Sequence, residues 1–321
     1  MPAKSAVLVT RKLPEAVMKR AAESYEARMN EADEKFTMDQ ILAKAEGCDA
    51  ILCCSSEKFT AEVISRLPKS VRALATFSVG LEHIDLEAAK ARGLIVTNTP
   101  DLLTDSTADI TFLLLLAAAR RAYEGERLLR QDAWTGWTPT QLLGVHVSGK
   151  HLGILGMGRI GRAVARRARG FDMEIHYHNR SRLPAELEQG ATYHETPDDL
   201  LKVSQFLALN APASPETTGF LNAERIALLP DGAVVVNTAR GALIDDEALQ
   251  AALKSGKLAA AGLDVFDGEP KIHPGYRALD NVFILPHLGS ATLETRNAMG
   301  FKCCDNLDAI FAGREPPDRA V

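Results

Sequence analysis

The chain has 321 residues, which is enough for roughly two domains of about 150 residues each. A hydrophobic content of 46 %, a charged content of 25 % and a net charge of −5 are typical of a soluble globular protein. Lysine and arginine are spread along the chain without a basic block, which argues against nucleic-acid binding.

The amino-terminal third alternates predicted strands and helices. The chain enters its first strand without a preceding apolar signal segment. Gly93 stands where a helix C-cap is expected. This alternation predicts a parallel sheet covered by helices on both faces. The predicted strands are 6–10, 49–54, 71–78 and 94–98, and the predicted helices run from Pro14 to about Met29, over 61–67 and over 86–93.

A long helix is predicted from about Asp105 to Arg130. Its most apolar stretch, 110–119, is too short to cross a bilayer and is interpreted as part of a buried helix. A loop at 132–150 follows and carries both tryptophans. The sequence therefore predicts no membrane association.

The cysteines give neither a metal motif nor a redox motif. Cys53 is adjacent to Cys54, Cys303 is adjacent to Cys304, and Cys48 stands alone. Adjacent pairs match neither zinc spacing nor CxxC spacing. The sequence predicts reduced, structural thiols, a cytoplasmic location and no metal site.

A second alternating series contains a glycine fingerprint, Gly156-x-Gly158-x-x-Gly161. It follows a predicted strand at 152–155 and opens a predicted helix at 159–169, which is the arrangement that binds the pyrophosphate of a dinucleotide. The expected contacts in this turn are Gly156, Gly158, Arg159, Ile160 and Gly161. The remaining predicted strands are 173–178, 206–210, 233–238, 260–265 and 281–286, before a last helix at about 293–311.

The end of the next strand predicts which dinucleotide binds. An acidic residue there would hold the ribose 2′-hydroxyl of NAD, but the chain has Asn179. Arg180 and Arg182, with the Ser181 hydroxyl and the Asn179 amide, can instead receive a 2′-phosphate. We therefore expect NADPH as cofactor, with NADH as the weaker alternative. The fingerprint also lies too far along the chain for an L-lactate or malate dehydrogenase.

Charged side chains follow three predicted strands of the second half. Arg240, Glu269 and His287 lie at carboxyl ends of strands, where open parallel sheets bind ligands. This set suits reduction of a 2-oxo acid. Arg240 can hold the substrate carboxylate and polarise its carbonyl, and His287 can donate the proton. Glu269 can orient the His287 ring and favour its protonated form.

The chain resembles the D-isomer-specific 2-hydroxyacid dehydrogenases over essentially its whole length. Within that family it looks most like the glyoxylate/hydroxypyruvate reductases, on the strength of 107–121, 134–139 and 177–182. The segments that carry the family resemblance are 77–100, 153–171, 237–249, 262–270 and 286–292.

The resemblance implies two doubly wound parallel-sheet domains. A Rossmann dinucleotide-binding domain at 102–287 would be inserted in a flavodoxin-like substrate domain, 1–101 plus 288–321. The long helix and the tryptophan loop would form a homodimer, and Trp137 would either reach the partner's active site or pack in a core or dimer interface. A proton would be delivered in a cleft between the domains.

The resemblance also assigns ligand contacts. Arg240, Glu269 and His287 take the catalytic roles argued above, and the backbone of Val79, Gly80 and Leu81 would bind the substrate carboxylate. Two positions depart from many relatives: His83 stands in place of Asn, and Asn210 in place of His. The further cofactor contacts would be Thr107, Pro212, Thr217, Thr238, Ala239, Asp264 and Gly289.

Other functions remain possible for this sequence. An NAD-dependent relative such as phosphoglycerate dehydrogenase is disfavoured by Asn179 and by the lack of room for a regulatory domain. Formate dehydrogenase fits poorly because it pairs its histidine with Gln, whereas this chain has Glu269. A dinucleotide-sensing protein of the same fold, like the related transcriptional corepressors, could retain all three catalytic residues.

Overall fold

The computed structural model describes residues 4–321. The chain divides into two compact units, the first comprising Met1–Leu103 with Ala291–Val321 and the second comprising Thr104–Ser290. Each unit has its own parallel sheet, as the sequence predicted. Among the described residues, no helix is both long enough and apolar enough to cross a membrane.

The first unit contains a five-stranded parallel sheet flanked by helices. Its elements in chain order are β1 (Ala6–Val9), α1 (Glu15–Ser24), β2 (Glu26–Met29), α2 (Met38–Lys44), β3 (Ala50–Cys54), α3 (Ala61–Arg66), β4 (Ala73–Phe77), α4 (Leu86–Arg92) and β5 (Ile95–Thr97). The strand order β2-β1-β3-β4-β5 is that of flavodoxin-like sheets. Gly93 caps α4 with a φ of +72°, as predicted.

The second unit contains a seven-stranded parallel sheet. Its elements are α5 (Thr104–Ala119), α6 (Ala122–Arg130), β6 (His151–Leu155), α7 (Arg159–Arg169), β7 (Glu174–His178), α8 (Ala185–Glu188), β8 (Thr192–Tyr193), α9 (Pro197–Val203), β9 (Phe206–Leu209), α10 (Ala223–Leu228), β10 (Ala233–Asn237), α11 (Asp246–Ser255), β11 (Leu258–Leu263) and β12 (Val282–Ile284). Two short 3₁₀ helices lie at Gly241–Leu243 and Pro274–Ala278.

The strand order of this second sheet is β12-β11-β10-β9-β6-β7-β8. The order reverses between β6 and β9, which is the switch point where Rossmann sheets bind dinucleotides. Alternate strand residues enter two separate apolar clusters, Val234 and Ile154 on one face and Val235 and Leu209 on the other. Both faces of the sheet are therefore buried, as the continuous apolar strands predicted.

The chain returns to the first unit in α12 (Leu293–Phe311), the helix predicted there. It packs on α1, and a Cβ added to Gly300 would lie 2.4 Å from a methyl carbon of Val17. All five cysteines are free thiols, and Cys54 alone of them is not fully buried.

Two predicted helices are wrong in extent. The first ends at Ser24, and Glu26–Met29 instead pairs in parallel with β1 as an edge strand. Its Glu-Ala-Arg-Met sequence has good helix propensity, but pairing with an unsatisfied sheet edge overrides that weak preference.

The helix predicted from Asp105 to Arg130 is also wrong in extent, because the structure divides it into two helices, α5 and α6. Arg121 adopts a left-handed conformation with φ +52° and separates α5 from α6. Its guanidinium donates to Glu124 at 2.7 Å, and the backbone N–H of Val145 takes up the carbonyl of Ala119 at 2.8 Å. A returning loop thus satisfies the carbonyl exposed at the break.

Candidate active site

The three predicted catalytic residues lie at one edge of the second sheet. Arg240 follows β10, Glu269 follows β11 and His287 follows β12. These strands are neighbours and parallel, so their carboxyl ends meet at the same edge. The topology therefore brings together three side chains that are far apart in sequence.

Glu269 fixes the imidazole of His287. The His287 Nδ1 and a Glu269 carboxylate oxygen lie 2.8 Å apart, and the other oxygen accepts the Phe266 backbone N–H at 2.9 Å. The carboxylate is thereby held from both sides, and Nδ1 carries the proton that faces it. The opposite ring nitrogen, Nε2, is the one that can exchange a proton with a substrate.

The pair shifts both proton affinities in the direction that a proton donor needs. The hydrogen bond to Glu269 raises the pKa of His287, although burial acts in the opposite direction. Burial by itself would raise the pKa of Glu269, but hydrogen bonds from His287 and the Phe266 backbone outweigh it and leave that pKa below its usual value. Both shifts favour a carboxylate beside an imidazolium.

Asp264 shapes the loop that carries His287. The Asp264 carbonyl accepts the His287 N–H at 2.9 Å, and its carboxylate accepts the backbone N–H groups of Leu288 and Gly289 at 2.6 and 2.8 Å. These bonds hold His287 in a left-handed conformation with φ +57°, which is uncommon for a residue other than glycine. A buried carboxylate therefore sustains the backbone strain that orients the ring.

Arg240 is positioned by its own strand end. Its Nη1 donates to the Ala239 carbonyl at 2.7 Å, and the buried Asn237 side chain donates to the Arg240 carbonyl at 2.8 Å. The guanidinium charge lowers the pKa of both Glu269 and His287, although other groups have larger effects. Arg240 therefore shares one electrostatic environment with the ion pair.

Gly241 permits this assembly. A Cβ at Gly241 would lie 1.9 Å from the carbonyl carbon of Phe266, so the loop after Arg240 touches the loop that leads to Glu269. Sequence reasoning missed Gly241, Asn237 and Phe266 as positioning residues. The glycine directly after Arg240 was the one available signal, and the other two depend on contacts between strands.

An apolar pocket of about 370 Å³ adjoins the pair. Glu269 and His287 line it together with apolar side chains. The apolar residues that line the pocket are Phe266, Pro270, Ile272, Ile284, Leu285 and Pro286. Low polarity here strengthens the attraction within the ion pair.

The glycine turn fits a dinucleotide pyrophosphate. Gly156 has φ +93°, and a Cβ on it would lie 2.5 Å from the Ala211 backbone nitrogen. A Cβ on Gly161 would lie 2.4 Å from the Gly156 carbonyl oxygen, so α7 packs closely on β6. Gly158, at the N-cap of α7, has open space before it. The turn thus offers an accessible helix N-terminus, and Arg159 and Ile160 form the first turn of that helix.

The predicted 2′-phosphate residues separate into two groups. The Asn179 side-chain oxygen accepts the Met157 N–H at 2.6 Å, which ties the glycine turn to the end of β7. Arg180 and Ser181 are exposed beside it. Arg182 instead donates to the Glu188 carboxylate at 2.8 and 3.1 Å. Of the two predicted guanidinium groups, Arg182 is therefore already paired within the chain.

Most of the remaining predicted cofactor residues are linked to one another by hydrogen bonds. Thr107 donates to the Gly289 carbonyl at 3.2 Å. Thr238 is bonded to Thr111 at 2.7 Å and receives a 3.5 Å bond from Asn210. Separately, Thr217 donates to the Pro212 carbonyl at 2.7 Å.

The other predicted substrate residues lie elsewhere. Val79, Gly80 and Leu81 follow β4 in the first unit, where Asn98 donates to the Val79 carbonyl at 2.8 Å. The variant residue His83 is buried and bonded to Thr76 at 2.8 Å. Trp137 is 76 % exposed, so a place in the core of its own chain is wrong.

The glycine turn and the strand-end charges together define a Rossmann oxidoreductase that uses a nicotinamide dinucleotide. Residues 112–289 match the family described as D-isomer specific 2-hydroxyacid dehydrogenase, NAD binding domain. The chain belongs to this family, as the sequence resemblance predicted, and reduction of 2-oxo acids is its class of reaction.

Individual relatives cover at least 97 % of the chain. The glycerate dehydrogenase of Hyphomicrobium methylovorum is 48 % identical over 314 residues, which are 97 % of this chain and 98 % of that protein. A protein from Polaromonas sp. JS6 66 assigned to the family has a TM-score of 0.96 at 47 % identity, with 100 % of both chains covered. The NADPH-dependent glyoxylate/hydroxypyruvate reductase of Sinorhizobium meliloti, solved with NADP and malonate, has a TM-score of 0.88 at 34 % identity, covering 99 % of this chain and 97 % of that one.

Proposed function

We propose that this protein is an NADPH-preferring reductase of glyoxylate and hydroxypyruvate that yields the D-2-hydroxy acid where the product is chiral. The observation that carries the proposal is the 2.8 Å hydrogen bond between His287 and Glu269 in the electrostatic reach of Arg240. A bound reduced nicotinamide supplies the hydride.

The chain's own residues supply the proton and the anchoring. The imidazolium of His287 donates the proton at Nε2 to the carbonyl oxygen, and Glu269 stabilises the positive ring until that transfer. Arg240 binds the substrate carboxylate through charge-assisted hydrogen bonds and polarises the carbonyl. The backbone of Val79, Gly80 and Leu81 is proposed separately as a carboxylate-binding segment of the first unit.

The names of the relatives support the substrate class. Reduction of hydroxypyruvate at its 2-oxo carbon gives glycerate, so a glycerate dehydrogenase and a hydroxypyruvate reductase catalyse one reaction in opposite directions. Glyoxylate shares the 2-oxo carboxylate that Arg240 and His287 would recognise. A small 2-oxo acid is therefore the proposed substrate of this chain.

NADPH preference rests on the end of β7. Asn179 presents no negative charge that would repel a 2′-phosphate, and the exposed Arg180 guanidinium and Ser181 hydroxyl can bind it. Arg182 would contribute only after leaving Glu188. The glycine turn and Thr107, Thr238, Asp264 and Gly289 would hold the rest of the cofactor.

We further propose that 102–287 binds the dinucleotide and that 1–101 with 288–321 binds the substrate. A homodimer is supported by large exposed apolar side chains on α6 and in the loop after it, including Leu129, Trp137 and Leu143. In that dimer Trp137 would be buried by the partner. A cytoplasmic location stays a prediction.

A steady-state panel tests this function. The purified protein is assayed with glyoxylate, hydroxypyruvate, pyruvate and a bulkier 2-oxo acid, each with NADPH and with NADH, and in the oxidative direction with phosphoglycerate and NAD. We expect the highest kcat/KM for glyoxylate and hydroxypyruvate with NADPH. Higher kcat/KM with NADH would overturn the cofactor proposal, and preference for a phosphorylated hydroxy acid with NAD would favour the phosphoglycerate class. Tight NADPH binding without turnover would favour a sensing protein.

A further inference from the structure

A second cluster of ionisable side chains lies at the amino ends of two strands of the second sheet, away from the carboxyl ends that carry Arg240, Glu269 and His287. His151 begins β6 and Glu174 begins β7, and the two residues are paired in the parallel ladder. His176 lies two residues beyond Glu174, so its side chain leaves the same face of the strand. The three side chains thus converge at the amino ends of two adjacent strands, whereas the glycine turn follows the carboxyl end of β6.

The ligand atoms of this cluster already lie close together. The His151 Nε2 is 3.3 Å from a Glu174 carboxylate oxygen, and one potential ligand atom from each of the three residues lies within 4.8 Å of the others. In a tetrahedral zinc site with bonds of about 2.0–2.1 Å, two ligand atoms are separated by roughly 3.3 Å. The His151–Glu174 separation matches that spacing.

His176 adds an unsatisfied nitrogen to the cluster. Its Nε2 is buried and has no hydrogen-bond partner among residues 4–321. Its Nδ1 lies 3.0 Å from the His194 Nε2. When Nδ1 donates its proton to His194, the lone pair of Nε2 points out of the ring on the other side. A histidine that ligates a metal is commonly held in this way by a hydrogen bond from its other ring nitrogen.

We propose that His151, Glu174 and His176 bind one divalent transition-metal ion, best satisfied by Zn²⁺. Two imidazoles and a carboxylate suit zinc rather than Mg²⁺ or Ca²⁺, which prefer oxygen ligands. Water would complete a tetrahedral coordination sphere. The side chains of His151 and Glu174 are 39 % and 68 % exposed, so an ion can enter without unfolding the sheet.

The ion would join the amino ends of β6 and β7. It is separate from the proposed reduction site, because all three ligands precede the turn-bearing ends of those strands. The cysteine spacing predicted no metal site, and this one was invisible in sequence because its ligands come from two strands separated by α7. Without an ion, the contact between His151 and Glu174 would be an exposed histidine–carboxylate contact of little energetic value.

Metal binding to the full-length protein tests the proposal. The protein is stripped with a chelator, desalted and titrated with Zn²⁺ in competition with a chromophoric chelator. We expect one tight site in the parent protein, weakened more than about 100-fold in His151→Gln, a loss larger than that of an outer-shell partner. Glu174→Gln should behave likewise, and Co²⁺ should give the visible spectrum of a tetrahedral ion in the parent but in neither of these two variants.

Two variants serve as controls. His146→Gln removes an exposed histidine outside the cluster and should leave Zn²⁺ affinity unchanged. His287→Gln removes the histidine–carboxylate pair of the reduction site, so tight binding that persists in this variant does not come from that site. His151 begins its strand with a partly exposed side chain, and circular dichroism checks that its variant folds.

The outcomes separate the alternatives. Zinc should raise the Tm of the parent and not that of His151→Gln, because binding to the native state stabilises it. Parent affinity equal to that of His151→Gln, or loss of the tight site in His287→Gln alone, would overturn the proposal.

Discussion

The strands of the seven-stranded sheet carry a histidine site at their carboxyl ends and another at their amino ends. The surroundings of the histidines in these two sites have opposite effects on the pKa. At the carboxyl end, a carboxylate hydrogen-bonded to His287 raises the pKa of its ring. At the amino end, burial and the neighbouring rings of His151 and His194 lower the pKa of His176. The pKa values of the two rings are therefore shifted in opposite directions within a single domain.

The partners of each ring explain the difference. Glu269 accepts a hydrogen bond from His287 and raises the pKa of the ring, which favours an acid that can release a proton from Nε2. His176 lies 3.0 Å from His194 at one nitrogen, and its other nitrogen is buried without a hydrogen-bond partner among the described residues, which favours a ligand. In the proposed roles, His287 releases a proton from Nε2, whereas His176 offers Nε2 to a metal ion.

Replacing His287 should have the largest kinetic effect. His287→Ala removes the proton donor, so kcat for glyoxylate reduction should fall by about 10²- to 10⁴-fold. Binding of NADPH, followed by the change in nicotinamide fluorescence, should remain near the parent value. His146→Ala serves as the matched histidine control. Turnover within a few-fold of the parent would show that the carboxyl-end histidine is not the acid.

Replacing Arg240 should affect both substrate binding and rate. Arg240→Gln removes charge-assisted hydrogen bonds of about 1.5–3 kcal/mol, so kcat/KM for glyoxylate should fall about 10- to 100-fold, with KM raised. Arg277→Gln, an exposed arginine of the same unit, is the control. An unchanged KM in Arg240→Gln would contradict the carboxylate-binding role.

Replacing Glu269 should move the pH dependence. In the parent, reduction requires protonated His287, so log kcat/KM falls as pH rises through the raised pKa of that ring. Glu269→Gln removes the charge and the accepting carboxylate, so the fall in log kcat/KM should occur at lower pH. A fall in log kcat/KM at the same pH in both proteins would show that Glu269 does not set the pKa of the His287 ring.

The same substitution should change stability in a defined pH window. The raised pKa of His287 stabilises the fold fully below the ordinary histidine value of about 6.5, and this contribution is lost as pH rises through the folded value. The lowered pKa of Glu269 stabilises the fold above about 4.3, and this contribution is lost as pH falls through the folded value. The Tm difference between parent and Glu269→Gln should therefore be largest between those two values and shrink on either side.

Replacing Arg180 should have the smallest effect and should be confined to one cofactor. Arg180→Ala should lower kcat/KM for NADPH about tenfold, as expected for one charged hydrogen bond at an exposed site, and leave NADH nearly unchanged. Arg182→Ala should change the ratio less, because Arg182 is paired with Glu188. Equal losses with both cofactors would exclude recognition of a 2′-phosphate by Arg180.

The parts of the molecule that were predictable have a local cause. The glycine turn is contiguous, and α7 has the predicted bounds because a helix must follow the glycine N-cap. The strand ends that place Arg240, Glu269 and His287 follow from short apolar runs with clear boundaries. The β2 strand and the break at Arg121 were missed because a neighbouring strand and a returning loop decide them.

The sequence by itself determined the two parallel sheets, the dinucleotide turn and the three charged residues at strand ends, since each is written in a short run of residues. Only the tertiary structure decided that Glu188 binds Arg182, that Asp264 holds His287 in a left-handed conformation, and that His151 and His176 converge on Glu174. These depend on which strands become neighbours and in what register, because a side chain's partner is set by the sheet rather than by its distance along the chain.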